Sequence, residues 1–181
     1  KEKTMVNYIR RVVTGHNADG KSCIARDGNA TSILEAEAVP GLVCHDFWET
    51  TATPADNTGD QDAADRPVHL EPPANGSIFR IVDFPPDASW QDNLEGVRES
   101  FEAMDAGHAS DGDSDDPMMH KTPSVDYAIV LEGEIWAVME KGETCLKAGE
   151  VLVQRGTNHS WSVRTDQPAR VAFVLVGAHP V

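Results

Sequence analysis

Six short runs rich in β-branched and aromatic residues follow one another between residues 127 and 176. They are residues 127–131 (YAIVL), 135–139 (IWAVM), 144–146 (TCL), 151–153 (VLV), 160–163 (SWSV) and 171–176 (VAFVLV). The turns between them contain four glycines, namely Gly133, Gly142, Gly149 and Gly156. Short strands at this regular spacing are typical of an antiparallel β-sandwich or β-barrel. We therefore predict an all-β fold for this part of the chain.

The preceding residues contain further strand patterns. Residues 8–13 and 22–25 flank an Asp19-Gly20 pair, which can supply the positive φ of a tight turn and so predicts a hairpin. Residues 41–48 and 77–84 are two more β-prone runs, separated by a long loop. We expect these strands to be added to the edges of the C-terminal barrel or to a second subunit.

One segment, residues 90–105, has the apolar period of a helix instead of a strand. The apolar positions at helical spacing are Leu94, Val97, Phe101 and Met104. Ser89 and Asp92 are placed as a capping-box-like start, and Gly107 is placed as a stop. The pattern predicts a single amphipathic helix that packs on the core.

Length and charge restrict the class of protein. The chain has 181 residues, which favours one domain, and a formal net charge of -15. Such a charge repels phosphate backbones and anionic lipid headgroups, so neither nucleic acid nor a membrane is expected as a partner. Two acidic stretches rich in small residues, 54–66 and 108–116, are predicted to be solvated loops.

The cysteines and the absence of long apolar segments favour a cytoplasmic protein. Cys23, Cys44 and Cys145 are far apart and follow no paired pattern, which suits a reducing compartment. No apolar stretch approaches the roughly 20 residues of a membrane-spanning helix. Residues 1–7 lack the apolar core of a signal peptide.

Two motifs within residues 118–178 resemble those of the cupin superfamily. In the first, His120-Lys-Thr-Pro-Ser-Val-Asp126 is followed by six residues and Gly133, and in the second, Gly149-Glu-Val-Leu-Val-Gln-Arg-Gly-Thr-Asn-His159 has the shape of the second cupin motif. The resemblance implies an all-β, cupin-type antiparallel β-barrel (a double-stranded β-helix or jelly roll) formed as a single domain over residues 1–181. Residues 118–178 would form the motif core. Residues 1–117 would supply N-terminal strands, acidic loops and one short helix.

The resemblance also implies a metal site, held by His120, Asp126 and His159. Two imidazoles and one carboxylate favour a divalent first-row ion, with Fe(II) preferred and Zn, Mn or Ni possible. Thr122 stands where the motif has its second His, and Asp126 stands in the Glu position, so the usual four-ligand set is not present. Asp126 could equally accept backbone N–H bonds in an Asx-turn.

Four further residues are predicted to lie around this site, but no catalytic residue is assigned. Thr122 is expected as a wall or outer-shell hydroxyl, Trp161 as an apolar wall or core residue, and Arg155 as a partner for a substrate carboxylate or a solvent-facing turn residue. Tyr127 follows Asp126 and is included as a pocket residue.

The function that the resemblance favours is a mononuclear metal-dependent enzyme acting on a small oxygenated substrate, such as a carbonyl, carboxylate or phenolic compound. Dioxygenase-like oxidoreductase chemistry is preferred. A metal-dependent decarboxylase or isomerase remains an alternative. So does a non-catalytic cupin that binds a small ligand after losing its metal. Because strands near Tyr8 and Val43 would leave sheet edges uncovered, a homodimer is expected.

Overall fold

The computed structural model describes residues 7–109 and 114–180. Over these ranges the chain forms eleven strands, one 3-10 turn (Asp87–Ser89) and one α-helix, α1 (Leu94–Ala103). The strands are β1 (Arg10–His16), β2 (Ser22–Asn29), β3 (Ser32–Glu35), β4 (Val43–Thr50), β5 (Ser77–Phe84), β6 (Ser124–Glu132), β7 (Glu134–Met139), β8 (Glu143–Lys147), β9 (Val151–Arg155), β10 (His159–Ser162) and β11 (Ala169–Gly177). The all-β prediction is confirmed.

Two antiparallel sheets pack as a jelly roll. The larger sheet has six strands in the order β3-β4-β5-β11-β6-β9, and the smaller has three in the order β10-β7-β8. Their inner faces enclose the core, in which Ile78 and Val171 of the large sheet and Ile135 and Ala137 of the small sheet are fully buried. Among the described residues no ladder joins β8 to β9, so the two sheets do not close into a continuous barrel.

The N-terminal hairpin forms as predicted, but its strands pair with neither of these two sheets. Strand β1 pairs only with β2, and Gly20 in the turn has a φ of 74°. Two arginines attach the hairpin to the first acidic stretch, because Arg11 and Arg26 both pair with Asp62. That stretch is therefore anchored at Asp62, although it was predicted to be fully solvated. Residues 1–6, and residues 110–113 of the second acidic stretch, lie outside the described residues.

The strand containing Val43 is not an uncovered edge. Strand β4 lies between β3 and β5 and pairs with both. The sequence pattern did not predict β3, which is only four residues long and whose pairing is supplied by β4. The edge of the large sheet on this side is therefore β3.

Helix α1 begins later than the sequence pattern suggested. Asn93 is its N-cap, and the Asn93 side chain accepts a hydrogen bond from the backbone N–H of Gly96, so neither Ser89 nor Asp92 caps the helix. Val97 and Phe101 are buried as expected, whereas Leu94, the first residue of the helix, is 61% exposed. Within the described ranges, no helix has the length and apolar character that crossing a membrane requires.

Candidate metal and substrate site

A cavity of about 80 Å³ lies between the two sheets, next to the end of α1. Most of its wall is apolar and aromatic: Leu42, Cys44, Leu70, Val82, Phe84, Phe101, Met104, Met118, Trp161, Phe173 and Leu175. The polar lining residues are Arg80, His120, Thr122, Asp126 and His159. An apolar pocket with a few convergent polar groups is the usual form of a small-molecule site.

The cavity brings together two histidines that are distant in sequence. His120 and His159 form an isolated antiparallel bridge, in which each backbone N–H donates to the carbonyl of the other at 2.9 Å. Residues directly opposite one another in an antiparallel pair present their side chains on the same face. The two imidazole rings are accordingly in contact, with centroids 4.4 Å apart.

Backbone carbonyls hold both rings in one orientation. Nδ1 of His120 is 2.8 Å from the carbonyl oxygen of Met118, and Nδ1 of His159 is 3.0 Å from that of Thr157. A carbonyl only accepts, so each Nδ1 carries the proton and donates. Each Nε2 then has a free lone pair, which is the arrangement found in metal-binding imidazoles.

Both imidazoles are neutral over the physiological pH range. Burial, together with a smaller effect of the neighbouring His120, lowers the pKa of His159 to about 3, against the opposing effect of its hydrogen bond to Thr157. Burial also lowers the pKa of His120, against the opposing effects of its hydrogen bond to Met118 and of Asp116. A neutral imidazole is the form that binds a metal, so protons do not compete for these nitrogens near pH 7.

Asp126 lies in the same cavity on the inward face of β6. It is 5% exposed, and its Oδ1 has no hydrogen-bond partner among the described residues. Burial raises its pKa to about 6, an effect that Ser124 and the charge of Arg80 oppose. Because Asp126 is in the middle of a strand and its Oδ1 is unpartnered, the Asx-turn alternative is not seen. Thr122 is also buried, and its hydroxyl is 2.7 Å from that of Ser124.

A buried ion pair at the wall of the cavity was not predicted from the sequence. The Arg80 guanidinium on β5 donates to both carboxylate oxygens of Asp46 on β4, at 2.6 and 3.0 Å. It also donates to the backbone carbonyls of His69 and Leu70, and Arg66 pairs with the same Asp46 carboxylate. The only sequence signal was an arginine at an inward position of a β-prone run, because the partner lies 34 residues away.

An aromatic wall supports His159 and His120. Trp161 meets the His159 ring edge-on at 5.9 Å and contacts Phe173 at 5.4 Å, while Phe101 of α1 lies 5.2 Å from the His120 ring. Trp161 thus both packs in the core and lines the cavity. These contacts limit rotation of the imidazoles.

Two residues predicted for the pocket lie elsewhere. Tyr127 is 49% exposed on the outer face of the large sheet, because successive strand residues alternate and Asp126 points inward. Arg155 is exposed and lines a separate open groove between β8 and β9. The structure therefore brings together His120, Thr122, Asp126, His159 and Trp161, but not Tyr127 or Arg155.

The donor set fits a divalent ion in part. Two neutral imidazoles with free Nε2 atoms suit such an ion, and the unpartnered Asp126 oxygen in the same cavity is an anionic donor. In residues 7–109 and 114–180, however, no three His, Cys, Asp or Glu side chains are grouped as a metal-ligand set. His120 and His159 are in contact with each other, and the role of Asp126 as a metal ligand stays a prediction.

Comparison with known proteins agrees with the fold and the motifs. No protein-family model matches the chain. A phomopsin biosynthesis cluster protein of Diaporthe leptostromiformis is 32% identical over 100% of this chain and 85% of its own length. A cupin-domain-containing oxidoreductase of Hypocrea virens is 28% identical over 94% of this chain and 77% of its own.

Among solved structures, a cupin family protein of Methanocaldococcus jannaschii with a double-stranded β-helix fold has 12% identity and a TM-score of 0.37, covering 57% of this chain and 72% of its own. The two motifs, the jelly-roll sheets and the relatives that match over nearly the whole of this chain lead to one assignment. The chain belongs to the cupin superfamily.

Proposed function

We propose that this cupin is an oxidoreductase that holds one divalent metal ion through Nε2 of His120 and His159 and acts on a small oxygenated organic molecule in the adjoining cavity. The observation that carries the proposal is the pair of contacting, neutral imidazoles whose Nδ1 atoms both donate to backbone carbonyls. Ferrous iron is the favoured ion, with Zn, Mn and Ni as alternatives. When bound, a ferrous ion would supply one-electron chemistry and reactivity toward dioxygen.

The residues around the imidazoles have separate tasks in this proposal. The carbonyls of Met118 and Thr157 keep the two rings oriented, so that a ligand site exists before any ion binds. Trp161 and Phe101 exclude water from the imidazoles and offer apolar surface to a planar substrate. Asp126 places one carboxyl group at the wall of the same cavity, where it can accept a hydrogen bond or a proton.

The relatives support the class of reaction and the class of pathway. The Hypocrea virens protein is named an oxidoreductase, and the Diaporthe leptostromiformis protein is named for a biosynthesis cluster. Together they favour an oxidative step in the biosynthesis of a small natural product. The apolar wall of the cavity agrees with a substrate of that kind.

A second candidate function is non-catalytic binding of a small ligand. It is favoured by one specific observation: among the described residues no third acidic, cysteine or histidine side chain is grouped with the two imidazoles. A two-imidazole site without a third protein ligand would hold an ion weakly. Metal content decides between the two candidates.

The test is the element-resolved metal content of protein purified under reducing, anaerobic conditions. We expect close to one equivalent of a first-row metal in the wild type, and loss of most of it in both His120→Ala and His159→Ala. His16→Ala is the matched control, because His16 is exposed at the end of β1. Thr122→Ala should also keep its metal, since that hydroxyl is engaged with Ser124.

Less than a tenth of an equivalent in the wild type would support the ligand-binding candidate instead. Full occupancy in both histidine variants would show that the ion, if present, is held elsewhere. Loss of metal in Thr122→Ala, but not in the two histidine variants, would indicate that Thr122 is a metal ligand and that the assignment of the histidines is wrong. Circular dichroism of each variant separates loss of ligand from loss of fold.

A further inference from the structure

The wall of the cavity contains an acceptor that the protein does not satisfy. Asp126 is 5% exposed, it lines the cavity, and its Oδ1 is fully buried without a hydrogen-bond partner in the part of the chain that the structure describes. A buried polar atom without a partner is costly, and in a native protein it calls for an explanation such as a catalytic role or a bound molecule that completes the bond. A carboxylate accepts and does not donate, so the missing group is a donor.

The neighbouring donors make most of their hydrogen bonds to groups other than Asp126. The Arg80 guanidinium donates to Asp46 and to the carbonyls of His69 and Leu70, and it reaches Asp126 only through its charge. The hydroxyl groups of Thr122 and Ser124 bond to each other, which uses the proton of one of the two. Ser124 still lowers the pKa of Asp126 through a side-chain hydrogen bond, but Oδ1 has no partner among the described residues and is left to accept from a ligand or from solvent.

The other lining residues and the volume of the cavity restrict the polarity and the size of that ligand. Apart from its few polar residues, the wall is formed by apolar groups that include the rings of Phe84, Trp161 and Phe173. A cavity of about 80 Å³ is several times the roughly 10–15 Å³ that one water molecule requires. This volume suits a single ring or a body of similar size.

A substrate-binding role for Asp126 also accounts for its position relative to the imidazoles. Within residues 7–109 and 114–180 the carboxylate is not grouped with His120 and His159 as a metal-ligand set, although all three line the same cavity. The imidazoles are thus available to a metal ion, and the carboxylate is available to an organic substrate bound beside it.

We propose that Asp126 is the substrate-anchoring residue of this cupin, and that the substrate is a small, largely apolar ring compound whose hydroxyl group donates a hydrogen bond to Asp126 Oδ1. This inference rests on the proposed function in one respect, namely that the cavity is the substrate site. It assigns a chemical class, a phenol or a similar ring alcohol. It also assigns Asp126 to the organic substrate rather than to the metal.

Phenol and toluene form a matched pair of probes, because they have nearly the same size and differ in a hydroxyl against a methyl group. We expect phenol to bind wild-type protein roughly tenfold more tightly than toluene at pH 7.5, as measured by calorimetry or ligand-observed NMR, since a hydrogen bond to a charged acceptor has about this effect. In Asp126→Ala the preference should disappear. In Asp126→Asn, which keeps one oxygen acceptor, part of it should remain.

The inference is overturned if phenol binds the wild type no more tightly than toluene, or if neither probe binds at millimolar concentration. It is also overturned if Asp126→Ala keeps the full preference. Metal content is an independent test. Asp126→Ala should hold as much metal as the wild type. A loss of metal equal to that of His159→Ala would show that Asp126 is a metal ligand and would overturn the inference. If the wild type holds no metal, the proposed function fails while the probe comparison still decides the role of Asp126.

Discussion

At the scale of single residues, burial shifts the pKa values of the histidine and aspartate side chains of the site in opposite directions. It lowers the pKa of His159 to about 3 and raises that of Asp126 to about 6, because the charged form of each group is disfavoured away from water. Near pH 7 the imidazole is therefore neutral, whereas Asp126 is mostly ionised and close to its titration range. A carboxyl group with such a pKa can exchange a proton with a bound molecule at little cost.

The raised pKa of Asp126 predicts a pH-dependent effect of Asp126→Asn on stability. The folded protein binds the Asp126 proton more tightly than the unfolded chain, whose pKa is 3.8. The stability associated with this proton is thus complete below pH 3.8 and lost as the pH rises through about 6. In chelator-treated protein we expect Asp126→Asn to be more stable than the wild type at pH 8, by roughly 2–3 kcal/mol.

Denaturant unfolding at several pH values would measure this difference. It should shrink steadily between pH 6.5 and pH 4, because the wild-type carboxyl becomes neutral over that range. A difference that stays constant with pH would show that Asp126 keeps an ordinary pKa. His159 is common to both proteins, so its own titration cancels.

At the scale of elements, α1 closes one side of the site. Phe101 is 3% exposed and its ring contacts that of His120 at 5.2 Å, while the carbonyl of Met104, just after the helix, accepts a hydrogen bond from the N–H of Leu70. The helix therefore both fills the core and covers the imidazoles. Its sequence pattern indicated packing, but not that the packing partner is His120.

Phe101→Ala should both destabilise the protein and expose the site. Removing a buried phenylalanine side chain typically costs about 3–5 kcal/mol, through lost burial and the cavity that remains. We also expect the His120 pKa to move back toward its usual value, because burial is what lowers it. Thermal unfolding and NMR titration of the histidine resonances would measure the two effects.

Leu94→Ala is the matched control within α1, since Leu94 is 61% exposed and should cost little. If Leu94→Ala destabilised the protein as much as Phe101→Ala, the loss could not be assigned to the packing of Phe101 on the site, because alanine favours the helix more than either residue.

At the scale of the whole molecule, the outer face of the large sheet has an apolar row. Phe79, Val174, Tyr127 and Val153 lie side by side across β5, β11, β6 and β9. Val153 is 54% exposed and Tyr127 is 49% exposed. This row contains no charged residue, in a chain whose net charge is -15.

The apolar row predicts a homodimer. Two copies that meet through it about a two-fold axis would bury apolar side chains without opposing carboxylates, and such a patch is complementary to itself. Sedimentation at micromolar concentration should give twice the chain mass of 19.6 kDa. Val153→Glu should give the monomer mass, and Leu94→Glu, on the exposed side of α1, should remain dimeric. A monomeric wild type would contradict this prediction.

The sequence by itself determined the elements of the motif region and the two histidines. Its apolar runs each became a strand, because alternation and turn residues act locally. Gly133 illustrates this: its φ is 73°, and a Cβ there would lie 2.7 Å from the carbonyl oxygen of Pro168, so the turn requires glycine. The positions of His120 and His159 in recognisable motifs were enough to predict that their side chains lie close together.

Only the tertiary structure decided which side chains share the cavity. Asp126 faces inward and Tyr127 outward because of the sheet that β6 joins, and Arg80 meets Asp46 because β4 and β5 pair. The direction of each pKa shift depends on burial by segments far away in sequence, such as α1 against His120. Local patterns specify strands and turns, whereas desolvation and pairing across strands arise only when distant segments come into contact.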